Sequence, residues 1–231
     1  KVVLSGEGGD EMFAGYPWHR VSAGGRWYQR LPLGMRQSLA DMARTKDMPA
    51  LKRSSPLYRR IRNFLLYNAL PLPLRYVWRI AYFNQEQKQN LFSGEFKKLL
   101  GKSVSGQDGY PFIGKQEFED FLTAMLYYDT KLFLPDDLLA KMDQMTMAHS
   151  IEARVPLLDH ELVAFAASLP PQMKLNKGMS KYILRKVIAQ KLPREILVRP
   201  KQGFMPPVRK WVNKRLDDFF IPLLNDHRAR G

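Results

Sequence analysis

A glycine-rich turn with carboxylates near the start of the chain has the clearest chemical character of any segment. The apolar stretch Lys1–Leu4 leads into Ser5–Glu11, which reads SGEGGDE, and a helix is predicted to start near Asp10. Glycines let a backbone approach a ligand closely, and N–H groups at such a turn suit phosphate. Asp10 or Glu11 could hold Mg²⁺ that also meets the phosphate. From the residues alone, a tight strand-to-helix turn capped by Asp10 explains the pattern equally well.

Two later tracts carry charged residues whose chemistry is less specific. In the first, Glu152, Arg154 and Asp159 are close enough in sequence to form an ion network, which we predict to be buried and structural. In the second, the loop Arg199–Pro207 contains glycine and prolines and carries Lys201, whose ammonium could meet phosphate as a point charge. The residues of this second tract, taken alone, favour an ordinary surface loop.

The elements that must position these residues are mainly helices. Lys1–Leu4 is predicted to be a buried strand of the parallel type, with no partner strand that the chain itself reveals. Pro135 is predicted to open a new helix after one that ends near Lys131. Met142, Met145 and Met147 are expected to form a stripe in the core. Further helices are predicted within 25–70, 75–100, 162–168, 181–190 and from 211 onward. Pro71 and Pro73 are predicted to break the helical pattern between the first two of these ranges, and 103–114 is predicted to be a flexible loop.

The composition narrows the class of protein. The 231 residues contain no cysteine, which excludes disulfides, thiolate metal sites and cysteine nucleophiles within them. No apolar run approaches the roughly 20 residues that a membrane helix needs. The net charge of +15 attracts polyanions, and it is concentrated in residues 20–62 and 181–215. A basic nucleic-acid-binding module is therefore an alternative, although no RRM-like, helix-turn-helix or zinc-finger pattern accompanies the charge.

Four motifs, in this order, resemble the synthetase domain of glutamine-dependent asparagine synthetases. They are SGEGGDE at 5–11, the tract 143–159 that includes EARVPLLD, KYILR at 181–185 and RPKQGF at 199–204. The resemblance spans nearly the whole chain and thins between residues 25 and 115. It implies an α/β parent fold of the adenine nucleotide α-hydrolase-like type, also called the PP-loop ATPase fold. Residues 1–231 would be the C-terminal portion of one such domain, mainly α-helical with a residual N-terminal parallel strand.

The resemblance also implies a reaction and a role for five residues. In this family the aspartate carboxylate attacks the α-phosphorus of Mg²⁺–ATP, giving β-aspartyl-AMP and pyrophosphate, and glutamine-derived ammonia then displaces AMP. Carried over to this sequence, Ser5 and Gly6 line the ATP site, and Glu7 acts close to the reacting aspartate or aspartyl-AMP. Asp10 is the carboxylate linked to Mg²⁺ or to substrate orientation, and Lys201 contacts phosphate during adenylation.

Two parts of the family pattern are not found in these residues: the pyrophosphate-binding SGGxDS loop and the glutaminase domain. We expect both upstream, and we expect the 231 residues alone to be inactive, with an N-terminal strand that is disordered or paired with another chain. The expected partners are ATP, aspartate and ammonia, with neither nucleic acid nor membrane, in a cytoplasmic enzyme that could form a homodimer. An enzyme of the same fold that acts on another carboxylate is the main alternative.

Replacing Lys201 by Ala in the full-length enzyme tests the role that the resemblance gives to this lysine. We expect the pyrophosphate-exchange rate to fall strongly, because an ammonium that faces phosphate stabilises the charge of adenylation. The thermal unfolding midpoint should stay the same. An unchanged exchange rate in the Lys201→Ala protein would refute the assignment.

Overall fold

A computed structural model describes residues 1–24, 28, 30–44, 55–83, 85–100, 116–199 and 207–226. The loop predicted over 103–114 lies outside the described residues, as does Lys201 with most of its loop. The chain divides into two units, Lys1–Gln190 and Lys191–Gly231, and each is described by itself. None of the helices in the described ranges has the length and apolar character that crossing a bilayer would require.

Helices dominate the first unit, as the sequence predicts. Its first half contains β1 (Val2–Leu4), α1 (Gly9–Phe13), α2 (Pro17–Gly24), α3 (Leu33–Arg44), α4 (Pro56–Ala69), α5 (Leu72–Ile80), α6 (Gln85–Leu91) and α7 (Gly94–Leu100). Its second half contains α8 (Phe121–Tyr128), a π-helix (Asp129–Leu139), α9 (Ala140–Met147), β2 (Glu152–Arg154), a 3₁₀ turn (Pro156–Leu158), α10 (His160–Ser168), α11 (Pro171–Lys174), β3 (Leu175–Asn176), β4 (Met179–Ser180) and α12 (Tyr182–Ile188).

The second unit is helical in its described part. It contains α13 (Arg194–Val198), α14 (Val208–Lys214), a second π-helix (Leu216–Phe220) and α15 (Ile221–Asn225). Two predicted helix ends in the first unit are confirmed, and proline explains both. Pro71 separates α4 from α5, and Pro170 follows the end of α10, because proline removes a backbone donor and restrains the residue before it.

The N-terminal strand has a partner within the chain, which corrects two sequence predictions. β1 pairs in parallel with β2, with Val2 opposite Glu152 and Leu4 opposite Arg154. The prediction that this strand would be disordered or paired with another chain is therefore wrong. The prediction that it is buried is also wrong, since its three side chains are between 42% and 74% exposed. β3 and β4 form a separate antiparallel pair, so the described residues hold more strands than the single one expected.

The predicted ion network lies on the surface and consists of one pair. Arg154 Nε donates to Glu152 Oε1 at 2.7 Å, and both side chains are more than half exposed. Residues two apart on a strand share a face, so these two charges meet each other directly. Asp159 instead caps α10, accepting from the backbone N–H groups of Glu161 and Leu162 at 3.0 and 3.3 Å. The prediction of a buried network is wrong.

The helical run over residues 121–147 continues through Pro135, which corrects the predicted break there. Pro135 lies inside the π-helix that joins α8 to α9. In an α-helix the proline ring clashes with the carbonyl four residues earlier, and the missing N–H loses a hydrogen bond. The wider π-helix moves hydrogen bonding to the fifth preceding residue, which lets the run accommodate proline. The turn before Pro135 is anchored by the buried side chains of Leu132 and Leu134.

The methionines of α9 do not form a core stripe. Met145 and Met147 are 58% and 57% exposed, and Met142 is half-buried. The core of this part of the unit lies one helix earlier along the same run, where α8 packs against α5. It contains the buried side chains of Tyr76, Ala124, Met125, Tyr128 and Leu132. The methionine prediction was wrong because residue type alone does not show which part of a long helical run is covered.

A fully buried carboxylate, that of Asp129, lies where α2, α5 and the start of the π-helix meet. Arg79 Nη2 contacts its Oδ1 at 2.5 Å, and the Tyr76 hydroxyl donates to the same oxygen at 2.9 Å. The other oxygen, Oδ2, accepts from His19 Nε2 at 2.8 Å and from Trp18 Nε1 at 3.3 Å. Both carboxylate oxygens are therefore satisfied by donors from two helices.

The His19 ring adopts one tautomer in this arrangement. The Tyr16 backbone N–H donates to His19 Nδ1 at 3.3 Å, so Nδ1 carries no proton and Nε2 provides the hydrogen for Asp129. The positive charge that balances Asp129 therefore comes from Arg79. The Arg79 guanidinium also lies over the rings of Trp18 and Tyr76, at 4.4 and 4.7 Å from their centroids.

Asp129→Ala is expected to lower the free energy of unfolding by about 3–5 kcal/mol, because it leaves Arg79 largely buried without its carboxylate. Denaturant unfolding of the purified protein measures this loss. Asp137→Ala is the control, since Asp137 lies on the same helical run and makes an exposed pair with Lys141 at 3.2 Å. The control should cost no more than about 1 kcal/mol. Similar losses in the two variants would contradict the role given to Asp129.

Candidate functional site

The turn between β1 and α1 presents an open backbone on one side. Gly6 is exposed, and a Cβ built on it would meet no other atom within 4 Å. Its neighbour Ser5 is tied to β2, because the Ser5 N–H donates to the Arg154 carbonyl at 2.9 Å. The sequence therefore gives this turn a fixed start and an accessible surface, as an approaching ligand needs.

Glycine is required at position 8 of the same turn. Gly8 has a φ of +84° and occupies the N-cap of α1. A Cβ at this position would lie 2.2 Å from Leu158 Cδ2, so a side chain is excluded by space as well as by backbone conformation. The alternative in which Asp10 caps α1 is wrong, because Gly8 holds that position and no side chain caps this helix.

Asp10 makes an ion pair with a lysine from a distant part of the chain. Lys181 Nζ lies 3.1 Å from Asp10 Oδ1, and both side chains are about three-quarters buried. The backbone holds this lysine in place: the Lys181 N–H donates to the Phe13 carbonyl at 2.9 Å, and Lys181 has a φ of +52°. The pair therefore joins the SGEGGDE turn to the first residue of the KYILR motif. Sequence reasoning did not single out Lys181 as a site residue, although it opens a motif that the resemblance includes.

Gly15 leaves the space that this ion pair occupies. A Cβ at Gly15 would lie 1.7 Å from Asp10 Oδ1 and 2.4 Å from Lys181 Cε. Both distances are far below van der Waals contact, so any larger residue would displace one of the charged side chains. The glycine that follows α1 is therefore part of the site.

The two acidic residues at the start of α1 have different surroundings. Glu11 is buried, and its carboxylate accepts a hydrogen bond from the Tyr16 hydroxyl. Burial raises the pKa of Glu11, while the Tyr16 hydrogen bond acts in the opposite direction. Burial also raises the pKa of the Tyr16 hydroxyl, so this group stays a donor. Of the two candidates for a magnesium ligand, Asp10 alone lies beside the open turn.

Glu7 occupies the turn between Gly6 and Gly8 and is half-buried. Within the described ranges, no hydrogen bond or ion pair engages its carboxylate. The structure therefore brings Ser5, Gly6, Glu7 and Asp10 together on one short segment, in the order that the sequence dictates. It does not place Lys201, which lies outside the described residues.

The turn can provide only part of the coordination shell of a magnesium ion. Among the described residues, no group of three or more His, Asp or Glu side chains is arranged to hold a metal. Mg²⁺ in nucleotide sites is commonly bound by one or two carboxylates together with substrate phosphates and water. Asp10, which is partly exposed and lies in the first turn of the helix that follows Gly6, can supply one such carboxylate.

Comparison with known proteins identifies the family. Residues 1–231 match the family model described as asparagine synthase. The chain therefore belongs to the asparagine synthase family, which confirms the resemblance found in its motifs. No solved structure matches the chain.

Individual relatives are named asparagine synthetases. The chain is 32% identical over 228 residues to the glutamine-hydrolyzing asparagine synthetase 1 of Bacillus subtilis strain 168, an alignment that covers 99% of this chain and 34% of that protein. It is 46% identical over 144 residues to the glutamine-hydrolyzing asparagine synthetase of Cricetulus griseus, covering 59% of this chain and 24% of that protein. The chain thus spans about a third, or less, of the length of these relatives.

Gly15→Ala is expected to destabilise the protein by about 1–3 kcal/mol, because the new methyl group overlaps Asp10 and Lys181. Gly34→Ala is the matched control: Gly34 lies in α3, and a Cβ there would meet no atom within 4 Å. Alanine is the better helix former by about 1 kcal/mol, so the control should be neutral or stabilising. Denaturant midpoints measure both. A neutral Gly15→Ala would show that the Asp10–Lys181 pair is not packed as described.

Proposed function

We propose that this chain carries part of the synthetase site of an ATP-dependent ligase that converts aspartate to asparagine, with nitrogen from glutamine-derived ammonia. The observation that carries the proposal is the ion pair of Lys181 with Asp10, which lies in the helix that directly follows the open turn at Gly6. It brings two distant family motifs into contact at one place. The names of the relatives agree with this reaction.

The open turn would receive the nucleotide. Ser5 and Gly6 offer backbone to a phosphate or ribose at a point where no side chain interferes. The parent domain would have the adenine nucleotide α-hydrolase-like (PP-loop ATPase) fold, to which the parallel pair β1–β2 contributes. Parallel strands commonly present their C-terminal ends to ligands, and the turn at residues 5–8 follows the C-terminal end of β1.

Asp10 and Lys181 would both act on a bound triphosphate, Asp10 through the metal ion and Lys181 through its ammonium group. Bound Mg²⁺–ATP supplies an electrophilic phosphorus atom and a pyrophosphate leaving group, and the growing negative charge needs a cation nearby. The Asp10 carboxylate would hold the metal, which would free the Lys181 ammonium to face phosphate oxygens. Lys201 would add a second ammonium from its own loop, as the resemblance implies.

Glu7 would act at the reacting carboxyl group. Attack of ammonia on an activated carboxylate releases a proton, and a nearby carboxylate can accept it. A carboxylate without a protein partner among the described residues is suited to that task, because no salt bridge has to break first. The assignment of Glu7 thus combines the family motif with its position in the open turn.

Glu7→Gln in the full-length protein tests this assignment. We expect normal unfolding behaviour and a loss of asparagine formation by about 10²–10⁴-fold, the usual contribution of acid–base catalysis. Glu161→Gln is the control, since Glu161 is an exposed carboxylate in the first turn of α10. Full activity in the Glu7→Gln protein, or equal losses in both variants, would remove Glu7 from the site.

The identity of the substrate is tested on the full-length wild-type protein, because the 231 residues alone are expected to be inactive. ATP–pyrophosphate exchange should depend on added aspartate, and asparagine should accumulate when an ammonia source is present. Exchange that another carboxylic acid supports, but aspartate does not, would show an enzyme of the same fold with a different substrate. No exchange with any carboxylic acid would overturn the ligase proposal.

A further inference from the structure

A cavity of about 280 Å³ lies in the first unit between α1, α8, α10 and α11. Its lining does not include the turn at residues 5–10, so it is a different place from the proposed nucleotide site. Small-molecule sites usually span about 300–1,000 Å³, and a cavity at the lower end of that range suits a small metabolite.

The lining of this cavity includes a largely buried lysine. Lys174 is the last residue of α11, and it is only 5% exposed. In the described part of the chain, no hydrogen bond or ion pair holds its ammonium. Asp120 acts on it through space, but that carboxylate already accepts from the Thr123 N–H at 2.9 Å and from the Thr123 hydroxyl at 2.5 Å. Lys174 has no carboxylate within ion-pair distance among the described residues, so an anion in the cavity would give its ammonium a direct partner.

The cavity also carries a buried carboxyl group. Glu11 is 1% exposed and lines the cavity from α1. Its Oε1 accepts from the Tyr16 hydroxyl. Glu11 and Lys174 make no ion pair with each other, although both border the same space. A ligand that carries both an anionic group and a hydrogen-bond donor such as an ammonium would have a partner on each residue, whereas a simple anion or a simple cation would have only one.

The other lining residues restrict the kind of side chain that a ligand of this cavity can have. Met12, Leu126 and Val163 provide an apolar surface. Thr130 also lines the cavity, and its hydroxyl donates to the Leu126 carbonyl at 2.7 Å, which leaves the hydroxyl oxygen able to accept a hydrogen bond. This combination suits a short uncharged side chain next to an ammonium group.

We propose that this cavity binds a free α-amino acid with a small uncharged side chain, its carboxylate on Lys174 and its ammonium near Glu11. The inference goes beyond the proposed ligase reaction and does not depend on it. The exposed residues Lys131 and Ala167 also line the cavity, which gives the ligand a route from solvent.

L-Valine is the probe, and calorimetric titration of the full-length protein is the measurement. We expect saturable one-to-one binding at millimolar or lower concentration. Two analogues of L-valine test its two charged groups separately: isovalerate lacks the ammonium, and isobutylamine lacks the carboxylate. Each should bind at least about tenfold more weakly than L-valine, since a hydrogen bond to a charged group usually contributes that much.

Lys174→Met tests the cation directly, because methionine keeps an unbranched chain without the charge. This variant should bind L-valine at least about tenfold more weakly. Lys177→Met is the matched control, since Lys177 is exposed in the turn between β3 and β4. Its affinity should equal that of the wild type. Glu7→Gln should also bind L-valine normally, which separates this site from the ligase chemistry.

Three results would overturn the proposal. They are the absence of saturable L-valine binding to the wild type, equal binding of L-valine and isovalerate, and unchanged affinity in a folded Lys174→Met protein. If Lys174→Met does not fold, the comparison of L-valine with its two analogues on the wild type decides by itself.

Discussion

The carboxylate of Asp129 is withdrawn from water, and the surrounding helices have to supply its hydrogen bonds. Trp18 and His19 approach from α2, and Tyr76 and Arg79 approach from α5. A buried charge without such partners would cost several kcal/mol, so the positions of α2 and α5 relative to the π-helix follow from it. Only three residues separate α1 from α2, so fixing α2 also restricts the position of α1, which carries the candidate site.

α1 itself is held by contacts from distant parts of the sequence. β1, just before it, pairs with β2 from the second motif, and Lys181 from the third motif contacts both Asp10 and the Phe13 carbonyl. On its inner side, the Tyr16 hydroxyl donates to Glu11. Three of the four family motifs therefore meet around one short helix. These motifs are far apart in the sequence but come into contact in the folded chain, and no single motif indicates that contact.

The sequence predicted what depends on local chemistry and missed what depends on distant partners. The helix start near Asp10 and the break at Pro71 come from glycine and proline, whose effects act within a few residues. β2 was missed because a three-residue strand of two charges and an alanine has no apolar run, and it forms only because β1 lies alongside. Asp129 carried no pattern of its own, since its partners lie about 50 and 110 residues earlier. Choosing between Asp10 and Glu11 as the magnesium ligand likewise required knowledge of contacts that form only in the folded chain.

The π-helix has a consequence for how the chain can tolerate changes in length. Each residue of a helix turns the chain by roughly 100°, so deleting one residue within Asp129–Leu139 without changing the winding of the others would rotate everything after it about the helix axis. α9 leads directly into β2, so that rotation would carry β2 away from β1 and the SGEGGDE turn. The length of this segment therefore sets the orientation of β2 relative to the buried Asp129. Substitutions of its exposed residues, such as Asp136 and Asp137, should be accepted far more readily than insertions or deletions of a single residue.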